Sequence, residues 1–108
     1  MRESDYDQLT EQTLQRLEYA LDEVDDDLDY EAAGGVLTVT FGNGTTMVFS
    51  RQPPTQQLWL AARSGGYHYA YDEALGDWRD TRSGEPFRPF VVQQIREQAG
   101  AEFSWEDE

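Results

Sequence analysis

The sequence predicts an α+β domain: a two-layer α/β sandwich with two helices on one face of an antiparallel sheet of about six strands, in the order α, β (about six), α. Three observations predict it. Apolar residues recur at three-and-four spacing only towards the two ends of the chain. Between those ends, short runs alternate apolar and polar. The runs are closed by Gly34-Gly35, Gly42-Asn43-Gly44, Pro53-Pro54 and Ser64-Gly65-Gly66. A chain of 108 residues is long enough for one hydrophobic core and too short for two independent ones.

The first helix is read from Ser4 to about Val24, where Tyr6, Leu9, Leu14, Leu17, Leu21 and Val24 share a face. Ser4 and Asp7 have the spacing of a capping box. The opposite side carries Asp7, Glu11, Gln15, Glu18, Asp22 and then Asp25 or Asp26, so carboxylates stack along an exposed ridge. Leu28 to Ala33 reads as a short strand ending at Gly34-Gly35. Val36 to Phe41 alternates with Leu37, Val39 and Phe41 on one face, and through Gly42-Asn43-Gly44 it forms a hairpin with Thr45 to Ser50. Gln57 to Ala62 buries Leu58 and Leu60 and turns Gln57 and Trp59 the other way. Tyr67, Tyr69 and Tyr71 share a face of the next strand, and a short strand surrounds Trp78. A closing helix runs from about Glu85 to Ala99, with Pro89 late in its first turn and Gly100 as its stop. Both helices then cover one sheet face, and the other face meets water.

Composition removes several classes of function. Without cysteine there is no disulfide, thiolate metal site or cysteine nucleophile. No apolar run forms a signal peptide or approaches the roughly 18 residues of a membrane helix, so a cytoplasmic location is expected, with no membrane association. A net charge of −14 repels nucleic acid and attracts cations or basic proteins. Residues 1–33 hold twelve acids and two arginines, whereas residues 34–97 hold six of each. The last eleven residues add Glu102, Glu106, Asp107 and Glu108 on a tail that is expected to fray.

Seven of the ten residues from Asp22 to Glu31 are carboxylates, and those at the end of the helix oppose its dipole at roughly 0.3–1 kcal/mol each. Folding alone would not select this arrangement. Oxygen-only ligands on an exposed face suit hard cations such as iron, manganese, calcium or magnesium, held weakly and with little selectivity. The run is not an EF-hand loop, because Asp25-Asp26-Asp27 lacks the alternate ligands and the central glycine. A salt-adapted surface is the alternative, but such a surface would spread its acids over the whole chain, and the neutral middle does not. Trp59 is the second candidate: it is either an interface anchor or a shield for the sheet beside His68. His68 lacks the partners of a triad, and Trp78 and the tyrosines read as core packing, so no catalytic residue and no cofactor site are expected.

These pieces resemble the bacterial frataxin family. The resemblance is carried by Arg51-Gln52-x-Pro54-x-x-Gln57-x-Trp59-Leu60-Ala61, Gly65-Gly66-Tyr67-His68, Trp78 and Arg82-Ser83-Gly84-Glu85. It covers residues 1–101 as a single domain and leaves residues 102–108 as an acidic C-terminal tail. It implies a sheet of five to seven strands under two helices. It also implies iron (Fe2+/Fe3+), weakly bound by surface carboxylates, here Glu18, Asp22, Glu23, Asp25, Asp26, Asp27, Asp29 and Glu31. It further implies binding to the cysteine desulfurase and the scaffold protein of iron–sulfur cluster assembly, with Asn43, Gln52, Gln57 and Trp59 at the contact. The implied role is a regulator, iron sensor or iron donor, a monomer without iron and not primarily an enzyme. The rival is a ferroxidase that oxidises and stores iron on the acidic ridge. The chain departs from the family pattern in a shorter junction before Gly34-Gly35 and in Pro86 and Pro89.

Overall fold

The computed structural model describes residues 1–24, 28–100 and 102–105. Helix α1 spans Glu3–Asp22 and buries Tyr6, Thr10, Leu14, Leu17 and Leu21 along one stripe. The expected capping box does not form. Arg2 is the N-cap, no side chain caps the helix, and Ser4 lies already inside its first turn. Asp7 instead pairs with the Arg51 guanidinium across 44 residues of sequence. A carboxylate gains more from a charge-assisted partner than from a neutral backbone N–H.

Six strands follow: β1 (Leu28–Ala33), β2 (Val36–Phe41), β3 (Thr46–Gln52), β4 (Gln57–Ala62), β5 (Gly65–Asp72) and β6 (Asp77–Asp80). They form one antiparallel sheet in chain order, so β1 and β6 are its edges. The predicted end of β3 at Ser50 falls short. Pairing of Arg51 with Leu58 and of Gln52 with Gln57 carries the ladder two residues further. A 3-10 turn, Pro53–Thr55, then reverses the chain through Gln56, which adopts φ 53°. Tyr6 staples this reversal to α1. Its hydroxyl donates to the Gln57 carbonyl at 2.6 Å and accepts from the Gln52 N–H at 2.8 Å.

Helix α2 (Phe87–Ala99) begins after Pro86, so Pro89 is its third residue. At that position a backbone N–H would have no partner within the helix, and the proline costs no hydrogen bond. Gly100 closes the helix at φ 68°, its N–H bonded to the Arg96 carbonyl at 2.9 Å. Leu37, Val39, Phe41, Met47, Phe49, Leu58, Leu60, Tyr69 and Trp78 from the sheet form one core with the apolar stripes of both helices.

The tail does not fray as expected over its described part. Phe103 and Trp105 are 4% and 7% exposed and belong to the same core. Trp105 meets Phe87 edge-on at 6.0 Å, Arg88 lies 4.7 Å over its ring, and Arg96 Nε donates to the Phe103 carbonyl at 2.8 Å. Two aromatic groups gain more by leaving water than four tail residues lose in chain freedom.

Candidate functional site: a carboxylate-bordered edge and an open sheet face

The acids of the first third gather where the end of α1 meets the edge strand β1, but on two sides of the sheet. Glu18 is half-buried on α1, Asp22 is its last residue, and Glu23 is its C-cap. Asp29 and Glu31 are exposed on β1, opposite Thr40 and Thr38 of β2. They alternate with Leu28 and Tyr30, which pack against the core, and so they face the open side. Asp25, Asp26 and Asp27 lie outside the described residues. Among those described, no three His, Asp or Glu side chains converge as a metal-binding group. The described part of the edge is a belt of separate oxygen donors, the ligand type that suits hard cations.

The last turn of α1 contains no basic residue to offset its dipole. Part of the compensation comes from Tyr30, whose hydroxyl donates to Asp22 Oδ1 at 2.6 Å. Keeping that proton suits the carboxylate, and with some desolvation and the nearby charge of Glu18 it pushes the Tyr30 pKa up to about 12. Because the folded value lies above the ordinary one, this contact stabilises the fold fully below about pH 10 and is lost as pH rises towards 12. Absorbance titration of Asp22→Asn is expected to return one tyrosine towards its ordinary range. An unchanged titration would show that the contact does not exist in solution.

On the open face, Trp59 stands beside His68 on the neighbouring strand. Their rings stack at 4.1 Å with 8° between planes. The indole Nε1–H donates to Gln57 Oε1 at 2.8 Å, and Gln52 lies directly across from Gln57. Trp59 is half-buried by these neighbours, so it shields the sheet while its remaining surface faces outward. Gln52, Gln57 and Trp59 thus form one group at the β3–β4 end of the sheet, held there by the Tyr6 staple.

Asn43 is not part of that group. It sits in the β2–β3 turn, at the far end of β3, roughly 20 Å away at about 3.3 Å per residue. Its amide is used internally: Nδ2 donates to the Gln98 carbonyl at 2.7 Å, and Oδ1 accepts from the Thr45 N–H at 3.1 Å and hydroxyl at 2.7 Å. Tyr30 and Tyr6, which position the site, were not identified from the sequence as site residues. Tyr6 belongs to the apolar face of the first helix in the sequence pattern, and its hydroxyl contact spans 51 residues, whereas the Tyr30 contact with Asp22 depends on how β1 folds back beside the end of α1.

An antiparallel sheet bearing two helices on one face, with a carboxylate belt at one edge and an aromatic-amide group on the bare face, defines a two-layer α/β sandwich. The family model described as a frataxin-like domain matches residues 1–101. The chain belongs to that family. It is 48% identical over 100 residues to the iron–sulfur cluster assembly protein CyaY of Pseudomonas aeruginosa, covering 93% of each chain. It is 42% identical over 100 residues to the CyaY protein of Paraburkholderia phymatum, again covering 93% of each. Among solved structures, frataxin from Psychromonas ingrahamii superposes with a TM-score of 0.90 at 36% identity, over 99% of this chain and 100% of that one. Trimeric frataxin from Saccharomyces cerevisiae, in its ferrous complex, gives 0.70 at 26% identity over 94% of this chain and 88% of that one. The described residues contain no helix long and apolar enough to cross a membrane.

Proposed function

We propose that this chain is an iron-binding regulator of iron–sulfur cluster assembly in the cytoplasm, monomeric without iron, that docks on the cysteine desulfurase and its scaffold protein. The observation that carries the reading is the charge distribution around one sheet edge. Residues 1–33 hold twelve acids and only two arginines, while the rest of the fold up to residue 97 is balanced. Such a surface attracts hard cations and a basic protein alike. The Trp59–Gln57–Gln52 group supplies an aromatic anchor on the adjoining bare face. The names of the curated relatives and the ferrous complex of the yeast neighbour support the same reading. Iron is here a loosely held cargo or signal.

The test is binding of purified desulfurase by the wild type, by Trp59→Ala and by the combined variant Glu18→Gln, Asp22→Asn, Asp29→Asn, Glu31→Gln. Trp59→Ala is expected to weaken binding about tenfold, a modest value for an anchor that stays half-covered. The neutralised variant is expected to bind weakly and to lose the steep salt dependence of the wild type. Salt-independent binding by the wild type would remove the acidic edge as the docking surface. Ferrous iron is expected to shift backbone resonances of residues 18–31 first, and shifts centred on His68 would refute the iron assignment.

A further inference from the structure

Between α1 and the β1–β2 turn, on the helical side of the sheet, lies an open groove of about 370 Å³. Its strand side is lined by the small residues Ala32, Ala33 and Gly35, the last packed against the Arg51 side chain. Its walls expose apolar surface. Four large hydrophobic residues are exposed among those described, and one of them, Tyr19 (62%), lines this groove from α1; Val36 also borders it, but its side chain alternates with Leu37 and is turned to the open face. Its helical rim carries Glu11 and Glu18, neither with an ion-pair partner among the described residues. The one cation of the lining, Arg51, is already paired with Asp7. A slot of mixed apolar and polar lining with a net negative rim is thus continuous with the carboxylate belt.

We propose that this groove seats one large apolar side chain of a partner segment whose flanking residues are Lys or Arg. The inference rests on the reading that the acidic edge receives a basic partner, and it adds what anchors that partner. The volume accommodates a Phe- or Leu-sized group, and the unpaired carboxylates select cationic neighbours. A second copy of this chain is a poor occupant, because each copy carries a net charge of −14. The division of labour is ordinary for an interface: charges steer and orient, and a buried apolar anchor slows release.

The experiment titrates the isotope-labelled full chain, at low salt, with two end-capped peptides, Lys-Arg-Phe-Arg-Lys and Lys-Arg-Ser-Arg-Lys. The Phe peptide is expected to bind about tenfold more tightly, the effect of burying one aromatic side chain, and to shift the amides of Tyr19, Ala32 and Val36. Ala32→Trp, which fills the groove, and Tyr19→Ala, which removes a wall at an exposed helix position, are expected to bring the Phe peptide down to the Ser peptide. Equal affinity for the two peptides, no binding of either, or Phe-specific shifts at Trp59 overturns the proposal. So do groove shifts that follow protein concentration without peptide, which would assign the groove to a second copy. The same variants are then assayed against the desulfurase. Undiminished desulfurase binding by both refutes the groove as its anchor while leaving the acidic-edge reading intact. Absence of desulfurase binding by the wild type, with Phe-peptide binding preserved, refutes that reading and leaves the groove.

Discussion

A chain ending at Gly100 is expected to unfold about 12 °C below the full-length protein, a loss of about 3 kcal/mol at roughly 4 °C per kcal/mol for a domain of this size. The magnitude follows from what Phe103 and Trp105 do. Burying two aromatic side chains contributes about 5 kcal/mol, the guanidinium hydrogen bond from Arg96 about 2, and Arg88 over the Trp105 ring about 1. Ordering residues 102–105 costs about 5 kcal/mol, which leaves a net of about 3. Thermal melts followed by circular dichroism check it, and melting within about 2 °C of the full chain would mean that the tail is not docked in solution. Trp105→Phe provides a sharper contrast. The Trp105 Nε1–H is buried without a hydrogen-bond partner among the described residues, so replacing the indole removes an unsatisfied donor while keeping an aromatic ring against Phe87. That variant is expected to lose less than half as much as the truncation.

The tail also shows where sequence reasoning reached its limit. Its four acids argued for solvation, and a charged terminus usually is solvated. The contrary signal was present in Phe103 and Trp105, two large aromatics two residues apart, but their value depends on a gap beside Phe87 that no local pattern reveals. The capping box failed for a similar reason. Ser4 and Asp7 have the right types and spacing, yet Asp7 is claimed by Arg51, whose proximity is created only when β3 packs beneath α1. Strand edges fared better because alternation is local. The bounds of β1, β2 and β4 were legible residue by residue, and β3 was extended only by its partner strand.

The candidate site divides along the same line. That Trp59 faces away from Leu58 and Leu60 is a consequence of strand geometry, and its neighbour His68 was readable once the next strand was placed. That Asp22 is held by Tyr30, and that Asn43 is occupied by Gln98, required the tertiary structure. The acidic ridge was visible as composition. Its division between the helix side and the open side of β1 became clear only with the register of the sheet. The resemblance supplied the family and the roles it implies, but its grouping of Asn43 with Gln52, Gln57 and Trp59 joins positions at opposite ends of a strand.

Trp78→Ala is expected to destabilise the fold by about 4 kcal/mol, the largest effect of any single substitution considered, since truncating a buried tryptophan leaves a cavity as well as removing burial. Trp78 is 1% exposed and meets Tyr6 at 6.2 Å and Tyr71 at 5.4 Å, both edge-on. Its Nε1–H donates at 3.0 Å to the Thr13 hydroxyl, which donates in turn to the Leu9 carbonyl at 2.7 Å, so β6 is tied to α1 by a polar link inside an apolar contact. Trp78→Phe retains most of the burial and is expected to cost about 2 kcal/mol. Urea titration checks both: at about 2 kcal/mol per molar, Trp78→Ala moves the midpoint down by about 2 M and Trp78→Phe by about 1 M. Trp59→Ala should cost no more than about 1 kcal/mol, because that side chain lies on the bare face and stays half-exposed. The two tryptophans lie on opposite faces of one sheet and so separate stability from recognition. Below its unfolding transition, Trp78→Ala should retain desulfurase binding, whereas Trp59→Ala should weaken it in a chain of nearly wild-type stability. If Trp59→Ala instead destabilised the fold as much as Trp78→Ala, its stack with His68 would be structural, and the bare face would lose its anchor.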